Sequence, residues 1–214
     1  WPADVHVIGK GINWFHSVIW PAILISSGYK LPKKLFVHGY LNISGKKMSK
    51  SLGNTIDPLE LLNKYHSDIV RYSLLKCSVF EDSDFSEEIL IDRNNGELAN
   101  KLGNLVSRVS TLAETHSIKK TPNNLIKKLK LKQIEKHFDN YELDKTLSEI
   151  FAFIDICNEY IQNKKPWEDK TKNKSQILYE LSDSIKAIAI LLYPFIPSTS
   201  EKISKIFNFK ISYN

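Results

Sequence analysis

Residues 35–54 read LFVHGYLNISGKKMSKSLGN, and this stretch determines the fold that we expect. Its first part, residues 35–41, is an apolar run of the length of a buried strand. Its second part, residues 45–54, places three lysines and two serines between two glycines. Such a loop can present ammonium groups and hydroxyl donors to a polyphosphate, because glycine lets the backbone approach a ligand closely. A lysine-rich turn with no further context is most often a solvated surface turn.

Composition indicates an ordinary globular protein. The chain has 214 residues, of which 42% are hydrophobic and 25% charged, enough for one large or two modest domains. The net charge of +6 favours a polyanionic partner without identifying RNA as that partner. Cys77 and Cys157 lie too far apart in sequence to indicate a zinc site or a disulfide framework. No segment resembles a membrane span or a signal peptide, so we expect a cytoplasmic protein with no membrane partner.

The start of the sequence suggests a fragment. The chain begins with Trp1, and its only methionine is Met48. We therefore expect that the natural protein continues upstream of Trp1.

Two short apolar segments and the helix between them predict a strand–helix–strand unit. Residues 5–9 and 36–40 have the pattern of buried strands, and residues 12–24 have a helical pattern. Two strands joined by a helix form about half of a doubly wound nucleotide-binding sheet. Because parallel sheets are buried on both faces, two strands alone leave an open edge.

Downstream of the lysine-rich loop the sequence predicts mostly helices. Asp57 and Pro58 have the pattern of a helix start, and residues 80–86 predict an acidic loop with a short strand. We expect a mainly α fold with a small α/β part, in which a partial doubly wound, Rossmann-like sheet is followed near residue 90 by an all-helical bundle. Apolar residues recur at helical spacing at residues 98–112, 143–161, 176–192 and 200–207.

Several motifs together carry a family resemblance. Residues 47–51 spell KMSKS, the signature of class I aminoacyl-tRNA synthetases. With GKGINWFH at 9–16, WPA at 20–22 and HGY at 38–40, the order resembles the methionyl-tRNA synthetases. KMSKS alone also fits the isoleucine, valine, leucine and cysteine enzymes. Three further motifs indicate the methionine enzymes among these families: the Phe-His pair at 15–16, NLVSR at 104–108 and KPW at 165–167.

The resemblance covers nearly the whole chain and implies a function. It implies part of a methionine–tRNA ligase, which activates methionine with ATP to methionyl-adenylate and transfers the methionyl group to tRNA(Met). The implied partners are methionine, ATP with Mg²⁺, tRNA(Met) and an N-terminal catalytic half, on the same polypeptide or as a separate subunit. No zinc or other metal site is expected in this part, and the isolated fragment is expected to be inactive. The implied domains are residues 1–45 (second half of the catalytic domain), 46–90 (KMSKS loop and stem-contact region) and 91–214 (anticodon-binding bundle).

The resemblance also implies active-site roles. Ile12, Phe15 and His16 would form the methionine pocket, which agrees with the favourable packing of a thioether against aromatic rings. Without the resemblance, Phe15 would be expected in a helix core. Catalysis would require alignment and charge stabilisation with no side-chain nucleophile. The implied catalytic residues are Lys47, Ser49 and Lys50, and the implied ATP-binding residues are Gly9, Leu41, Lys47, Met48, Ser49, Lys50 and Ser51.

A second set of residues is implied to read the CAU anticodon. Asn104 and Arg108 stand four apart on one helix face, where an amide and a guanidinium can read the edge of an unstacked base. Pro166 precedes Trp167, whose indole can stack on a splayed base. Without the resemblance, these side chains would be a solvated pair and a capping tryptophan. The lysines of residues 125–136 are expected to form a solvated face or nonspecific phosphate contacts.

Position 11 departs from the family pattern. The family carries an acidic residue after the Gly-Lys pair, taken to bind the ribose hydroxyls, whereas this chain has Gly11. Glycine cannot accept those hydrogen bonds, so either another group covers the ribose or adenosine binding is weakened.

Two alternative functions remain open at this point. The chain could belong to another class I synthetase with an aliphatic substrate. It could also be a tRNA-binding module that has no chemistry without an N-terminal half. An amino-acid activation assay separates an enzyme from a binding module.

Overall fold

The computed structural model describes residues 1–43, 45–49, 53–168 and 173–212. The chain forms two compact units that do not follow one another simply in sequence. Unit 1 comprises Trp1–Thr55 and Cys77–Ser86, and unit 2 comprises Ile56–Lys76 and Glu87–Asn214.

Unit 1 contains the predicted strand–helix–strand. Strands β1 (His6–Gly9) and β2 (Leu35–His38) pair in parallel, with Gly9 opposite His38. Parallel strands need a long crossover, and a helical segment provides it. The segment consists of a 3₁₀ turn (Lys10–Ile12), a π-helical turn (Phe15–Ile19) and helix α1 (Trp20–Ser26).

A second small sheet of unit 1 carries the first two lysines of the loop. Strand β3 (Leu41–Ile43) lies in its centre. It pairs in antiparallel fashion with β4 (Lys46–Lys47) and in parallel with β5 (Ser83–Asp84). The short strand expected within residues 80–86 is therefore present, and it forms the edge opposite β4. We call residues 41–49 the lysine hairpin.

Unit 2 is the helical part of the chain. Its core is formed chiefly by α7 and α8, and the fully buried side chains there include Ile154 and Leu181. The helical segments of unit 2 are α2 (Pro58–Lys64), α3 (Ser67–Leu75), α4 (Glu87–Arg93), a π-helical stretch (Asn94–Gly103), α5 (Asn104–Thr115), a 3₁₀ turn (Leu125–Lys128), α6 (Leu131–Asp139), α7 (Leu143–Lys164), α8 (Lys174–Leu192) and α9 (Pro197–Ile206).

Contacts of α3 explain why residues 56–76 belong to unit 2. The Tyr72 side chain is fully buried, its ring lies 5.3 Å from that of Phe151, and its hydroxyl donates to Glu97 at 2.5 Å. Arg71 donates from Nε and Nη2 to the carbonyls of Phe195 and Pro194, at 2.9 and 2.7 Å. These bonds satisfy two backbone carbonyls in the turn between α8 and α9.

The expected start of α2 is confirmed. Asp57 accepts a hydrogen bond from the backbone N–H of Leu59 at 2.8 Å, and Pro58 occupies the first turn. Helix α7 ends at Lys164, and Lys165 has a left-handed backbone (φ 44°) immediately before Pro166.

The units differ in outline from the functional segments that the sequence implies. The segment boundaries at residues 45/46 and 90/91 stay a prediction about function. The compact units instead change at 55/56, 76/77 and 86/87. Helices α2 and α3 thus belong to the same unit as the bundle.

Gly39 generates a test of how closely unit 1 is packed. A Cβ on Gly39 would lie 2.3 Å from the carbonyl oxygen of Glu81 and 2.9 Å from the backbone nitrogen of Asp82. Neither atom can rotate away, so Gly39→Ala should lower the free energy of unfolding of unit 1 by about 3 kcal/mol. Urea unfolding followed by tryptophan fluorescence measures this, since Trp1, Trp14 and Trp20 lie in unit 1.

Gly9 provides the matched control in the same unit. A Cβ there meets nothing closer than 3.6 Å, at Cε1 of His38. Gly9→Ala should therefore change stability by less than about 1 kcal/mol. Equal effects of the two substitutions would contradict the close approach at Gly39.

Candidate functional site

The lysine hairpin is shaped by hydrogen bonds from Asn54. The Asn54 side chain accepts from the backbone N–H of Ser49 at 2.9 Å and donates to the carbonyl of Lys47 at 3.2 Å. One amide therefore holds both sides of Met48, which is itself half-buried. Lys50 and Ser51, two of the predicted ATP-binding residues, lie outside the described residues.

The Tyr40 ring lies close to two lysine ammonium groups. The Nζ of Lys47 is 3.8 Å from the centre of the Tyr40 ring, and the Nζ of Lys10 is 4.7 Å from it. Both distances are within the range of a cation–π interaction. The ring therefore fixes where the ammonium of Lys47, a predicted catalytic residue, is found.

Asp82 anchors the same cluster. Its carboxylate accepts from Lys10 Nζ at 2.6 and 2.7 Å and from the backbone N–H of Tyr40 at 2.8 Å. The Lys10 hydrogen bond, followed by that from Tyr40, holds the pKa of Asp82 below its ordinary value. The carboxylate is thus charged at neutral pH and compensates Lys10.

The predicted adenosine contacts flank this cluster. Gly9 ends β1, opposite His38, and a Cβ on it would lie 4.0 Å from Cε1 of Tyr40. Leu41 begins β3, directly after Tyr40. The structure therefore brings Gly9, Lys47 and the start of β3 around one tyrosine.

The predicted methionine-pocket residues lie on the crossover segment. The rings of Phe15 and His16 are 5.4 Å apart and edge-on, and Nδ1 of His16 lies 3.0 Å from the carbonyl oxygen of Ile12. Ile12 is 52% exposed and Phe15 47% exposed, so neither is a helix core residue here. The sequence motifs do not indicate His6 as a neighbour of this pocket, but its ring packs edge-on against that of His16, with ring centroids 6.5 Å apart.

The described residues contain neither a metal-ligand cluster nor a membrane-spanning helix. Across residues 1–43, 45–49, 53–168 and 173–212, no three His, Cys, Asp or Glu side chains are arranged to hold a metal ion. Within the same ranges, none of the helices combines the length and apolarity that a membrane crossing requires.

In unit 2, three of the four predicted anticodon residues lie on α5 and in the turn that follows α7. The Arg108 guanidinium carbon lies 5.1 Å from the centre of the Trp167 ring, and its Nη2 donates to Gln162 at 3.1 Å. Asn104 stands one turn before Arg108 and donates to the carbonyl of Asn100 at 2.9 Å. Trp167 is 42% exposed, so its indole has a face available to a ligand. We call Asn104, Arg108 and Trp167 the indole face.

Pro166 has a different place from its neighbours. It is buried in the turn that follows α7, whereas Trp167 projects from the same turn. The buried proline fixes the position of the turn, and the tryptophan next to it carries the exposed surface. The sequence motif does not reveal that division.

The lysines of residues 125–136 are exposed, whereas Leu125 and Ile134 of the same segment are buried in the core. Among these lysines, Lys130 pairs with Glu149 at 3.2 Å. Ion pairs of this exposed kind contribute little to stability.

Comparison with known proteins identifies the family. Residues 2–110 match the family model described as "tRNA synthetases class I (M)". Residues 124–213 match the one described as "Anticodon-binding domain of tRNA ligase". The chain belongs to the methionyl-tRNA synthetase family. The resemblance seen in the motifs is thus confirmed, and the other class I synthetases are no longer alternatives.

Individual methionyl-tRNA synthetases align with almost all of this chain. Methionine–tRNA ligase of Thermotoga maritima is 38% identical over 226 residues, which is 98% of this chain and 36% of the relative. That of Caldanaerobacter subterraneus is 41% identical over 221 residues, 95% of this chain and 34% of the relative. The Mycobacterium tuberculosis methionyl-tRNA synthetase in complex with methionyl-adenylate superposes with a TM-score of 0.85 at 32% identity, covering 95% of this chain and 44% of that one. The chain therefore spans about a third of the length of these two curated relatives.

Gly11 is where this member of the methionyl-tRNA synthetase family departs from the expected pattern. A Cβ at Gly11 would lie 2.3 Å from the Tyr40 hydroxyl oxygen, whereas the next nearest atom, Tyr40 Cζ, is 3.6 Å away. The tyrosine hydroxyl therefore occupies space that a side chain at position 11 would need.

This geometry predicts that Tyr40→Phe suppresses the effect of Gly11→Ala. Gly11→Ala alone should destabilise unit 1 by about 1–2 kcal/mol, because the tyrosine must turn away from position 11 and so from its contacts with Lys10 and Lys47. Removing the hydroxyl leaves an ordinary 3.6 Å contact, so Gly11→Ala in the Tyr40→Phe background should cost much less. A double-mutant cycle by urea unfolding measures the coupling.

The cycle also has a clear negative outcome. Additive effects of the two substitutions would mean that the hydroxyl of Tyr40 does not lie against position 11. Gly9→Ala, combined with Tyr40→Phe, is the control in which no coupling is expected.

Proposed function

We propose that this chain is the C-terminal part of a methionine–tRNA ligase. The observation that carries the proposal is the order of the two family matches, a methionine-type class I match over residues 2–110 followed by an anticodon-binding match over residues 124–213. An N-terminal half would complete the catalytic domain, on the same polypeptide or as a separate subunit. The protein would act in the cytoplasm, where tRNA is charged.

The proposed first reaction joins methionine to AMP. A carboxylate oxygen of methionine attacks the α-phosphorus of ATP, the bond from that phosphorus to the bridging oxygen breaks, and pyrophosphate leaves. ATP enters as its Mg²⁺ complex. Negative charge develops on the phosphate oxygens, so fixed cations lower the barrier without acting as nucleophiles.

Lys50 and Lys47 are the proposed cations. Lys50 would bind the phosphates and stabilise the pentacoordinate α-phosphorus, and Lys47 would support it from the position that Tyr40 fixes. Ser49 and Ser51 would donate hydrogen bonds or shape the loop. The hydrogen bond from the backbone N–H of Ser49 to the Asn54 side chain keeps Ser49 next to Lys47 in the hairpin.

The rest of the site would bind the two substrates. Gly9, Leu41 and Met48 would lie along the ATP, with backbone groups of the first two next to the adenosine. Ile12, Phe15 and His16 would surround the methionine side chain, since an exposed aromatic surface of this kind suits a polarizable thioether. Their exposure in this chain supports a pocket that is closed by a bound substrate or by the N-terminal half.

We propose that the indole face recognises the anticodon of tRNA(Met). Trp167 would stack on one base, and Arg108 and Asn104 would bind base edges, with Pro166 holding the turn. The contact between Arg108 and the Trp167 ring supports one shared surface. Residues 46–90 would bring the lysine hairpin and the tRNA stem together, and residues 91–214 would hold the anticodon.

The alternative is a tRNA-binding module without chemistry. Gly11, which cannot bind ribose hydroxyls, is the observation that favours it. Amino-acid activation by the full-length protein separates the two functions, because a binding module shifts tRNA but does not form methionyl-adenylate.

In the full-length enzyme, Lys50→Ala should lower the rate of methionine-dependent ATP–pyrophosphate exchange about 100-fold. A decrease of this size is typical when an enzyme loses one preorganised group that stabilises charge in the transition state. Lys47→Ala should act in the same direction. Steady-state kinetics with methionine and ATP varied separately provide the measurement.

Lys46 is the matched control, an exposed lysine of the same hairpin outside the KMSKS signature. Lys46→Ala should leave kcat within about twofold, as expected of an exposed surface substitution. If Lys50→Ala changed only the KM for methionine, the phosphate role would be wrong.

Trp167→Ala should weaken tRNA(Met) binding by about 1–3 kcal/mol, the range for loss of one base–aromatic stack. Methionine activation without tRNA should be unchanged, because the indole face belongs to unit 2 and the lysine hairpin to unit 1. Filter binding with full-length enzyme and tRNA(Met) measures the affinity.

Phe138 supplies the control, since it is 45% exposed on α6 of the same unit. Phe138→Ala should leave tRNA affinity unchanged within error. Trp167→Ala protein that binds tRNA(Met) as tightly as the parent would show that Trp167 is only a structural cap.

A further inference from the structure

An acidic turn, residues 81–84, lies along the strand that carries the lysine hairpin. Backbone bonds join the two segments, since Ser83 N–H donates to the Tyr40 carbonyl at 3.0 Å. Parallel pairing of β5 with β3 continues this contact. The acidic turn lies far from the hairpin in sequence, and it belongs to none of the motifs that carry the family resemblance.

The two aspartates of the acidic turn bind opposite ends of β3. Asp82 Oδ1 accepts from the backbone N–H of Tyr40 at 2.8 Å, immediately before the strand. Asp84 Oδ1 accepts from the backbone N–H of Gly45 at 2.8 Å, just after it. The position of the short strand is therefore fixed at both ends by side chains from one turn.

Asp82 also joins β1 to this arrangement. Its bond with Lys10 ties the residue after β1 to the residue before β3. The side chains of Lys10 and Asp82 are 47% and 37% exposed, and a pair so exposed adds little to the free energy of folding. The main effect of this ion pair is to fix the position of Lys10 relative to Tyr40.

This chain of contacts extends from Asp82 through Tyr40 to the ammonium of Lys47. Asp82 holds the backbone of Tyr40, and the Tyr40 ring lies 3.8 Å from Lys47 Nζ. Among the described residues, the ring of Tyr40 directly contacts Lys47 Nζ, and Asp82 acts on Lys47 through its charge without a direct ion pair. Lys47 is thus positioned by an aromatic ring, with the Asp82 charge nearby, which suits a cation that must face a phosphate.

We propose that Asp82 and Asp84 are positioning residues for the lysine hairpin. They act through the backbone of Tyr40 and Gly45, and they hold Lys47 close to the α-phosphate of ATP, which methionine attacks. The inference rests on the proposed function, since it assigns new residues to the same reaction. Neither aspartate touches substrate. An ångström-scale shift of a charge donor can cost tenfold to a hundredfold in rate, although the hairpin still folds.

The test uses alanine and asparagine variants of both aspartates in the full-length enzyme. Asp82→Ala and Asp84→Ala should each lower kcat for methionine activation about tenfold, with the KM for methionine unchanged. Asp84→Asn should recover most of the rate, because its amide oxygen can still accept from Gly45. Asp82→Asn should recover only part, because it keeps the acceptor for Tyr40 and loses the charge that binds Lys10.

A double mutant separates positioning from a general structural role. If Asp82 acts through Lys47, Asp82→Ala should add no further loss in a Lys47→Ala background. A structural defect would add in full. Glu81→Ala is the matched control, since Glu81 is an exposed carboxylate next to Asp82 in the same turn. It should leave kcat unchanged.

A second measurement does not depend on activity. Hydrogen exchange of the segment at residues 40–47 should accelerate in Asp82→Ala and Asp84→Ala protein and not in Glu81→Ala protein. If the parent enzyme does not activate methionine but hydrogen exchange accelerates in the two alanine variants, the proposed function is wrong and the contact between the aspartates and the hairpin is confirmed. If the parent is active and both alanine variants keep the parental kcat, the positioning proposal is overturned.

Discussion

Strand β3 has three residues, and its partners β4 and β5 have two each, so ladder hydrogen bonds alone cannot hold this sheet. Side-chain acceptors supply what the ladder lacks, with a carboxylate at each end of β3 and the amide of Asn54 inside the loop. Gly39 completes the arrangement, because its missing side chain lets the backbone of the acidic turn come close. The region is therefore ordered by polar contacts at fixed points, and local opening around them is expected to be easier than in a buried core.

Unit 2 is stabilised in the opposite way, by a broad apolar core into which polar networks are built, among them one around Glu180. Glu180 is only 3% exposed and accepts from the Tyr160 hydroxyl and from the backbone N–H of Asn124. Burial, together with Glu180, raises the pKa of Tyr160 well above its ordinary value, so the phenol stays protonated as a donor. Asn123 donates to the carbonyl of Glu180 at 3.2 Å. A buried carboxylate with several partners fixes the loop before α6 against α8, which apolar packing alone leaves free to slide.

Local patterns predicted the elements of this structure well. The parallel pair β1–β2, the Asp57 cap and the ends of the long helices follow from apolar periodicity and from capping residues. Contacts between distant segments could not be predicted in this way. Asp82 meets Lys10 across 72 residues of sequence, and nothing near Gly11 indicates that a tyrosine hydroxyl fills its space. The motifs predict the lysines and the indole as site residues, but they do not reveal Asp82, which holds the backbone of Tyr40 from a distant part of the sequence.

The order in which the chain builds its two units has a consequence for any attempt to separate them. Residues 56–76 pack with the helical bundle, the chain then returns to add residues 77–86 to unit 1, and it goes back to the bundle at residue 87. No single cut yields both units intact, since a break at residue 56 removes β5 from the lysine hairpin and a break at residue 87 removes Arg71 and Tyr72 from the bundle. During synthesis, the lysine hairpin also has to wait for residues 82–84 before it can close. Recombination that exchanged the helical part of such a gene at one junction would produce a chimera with one unit incomplete.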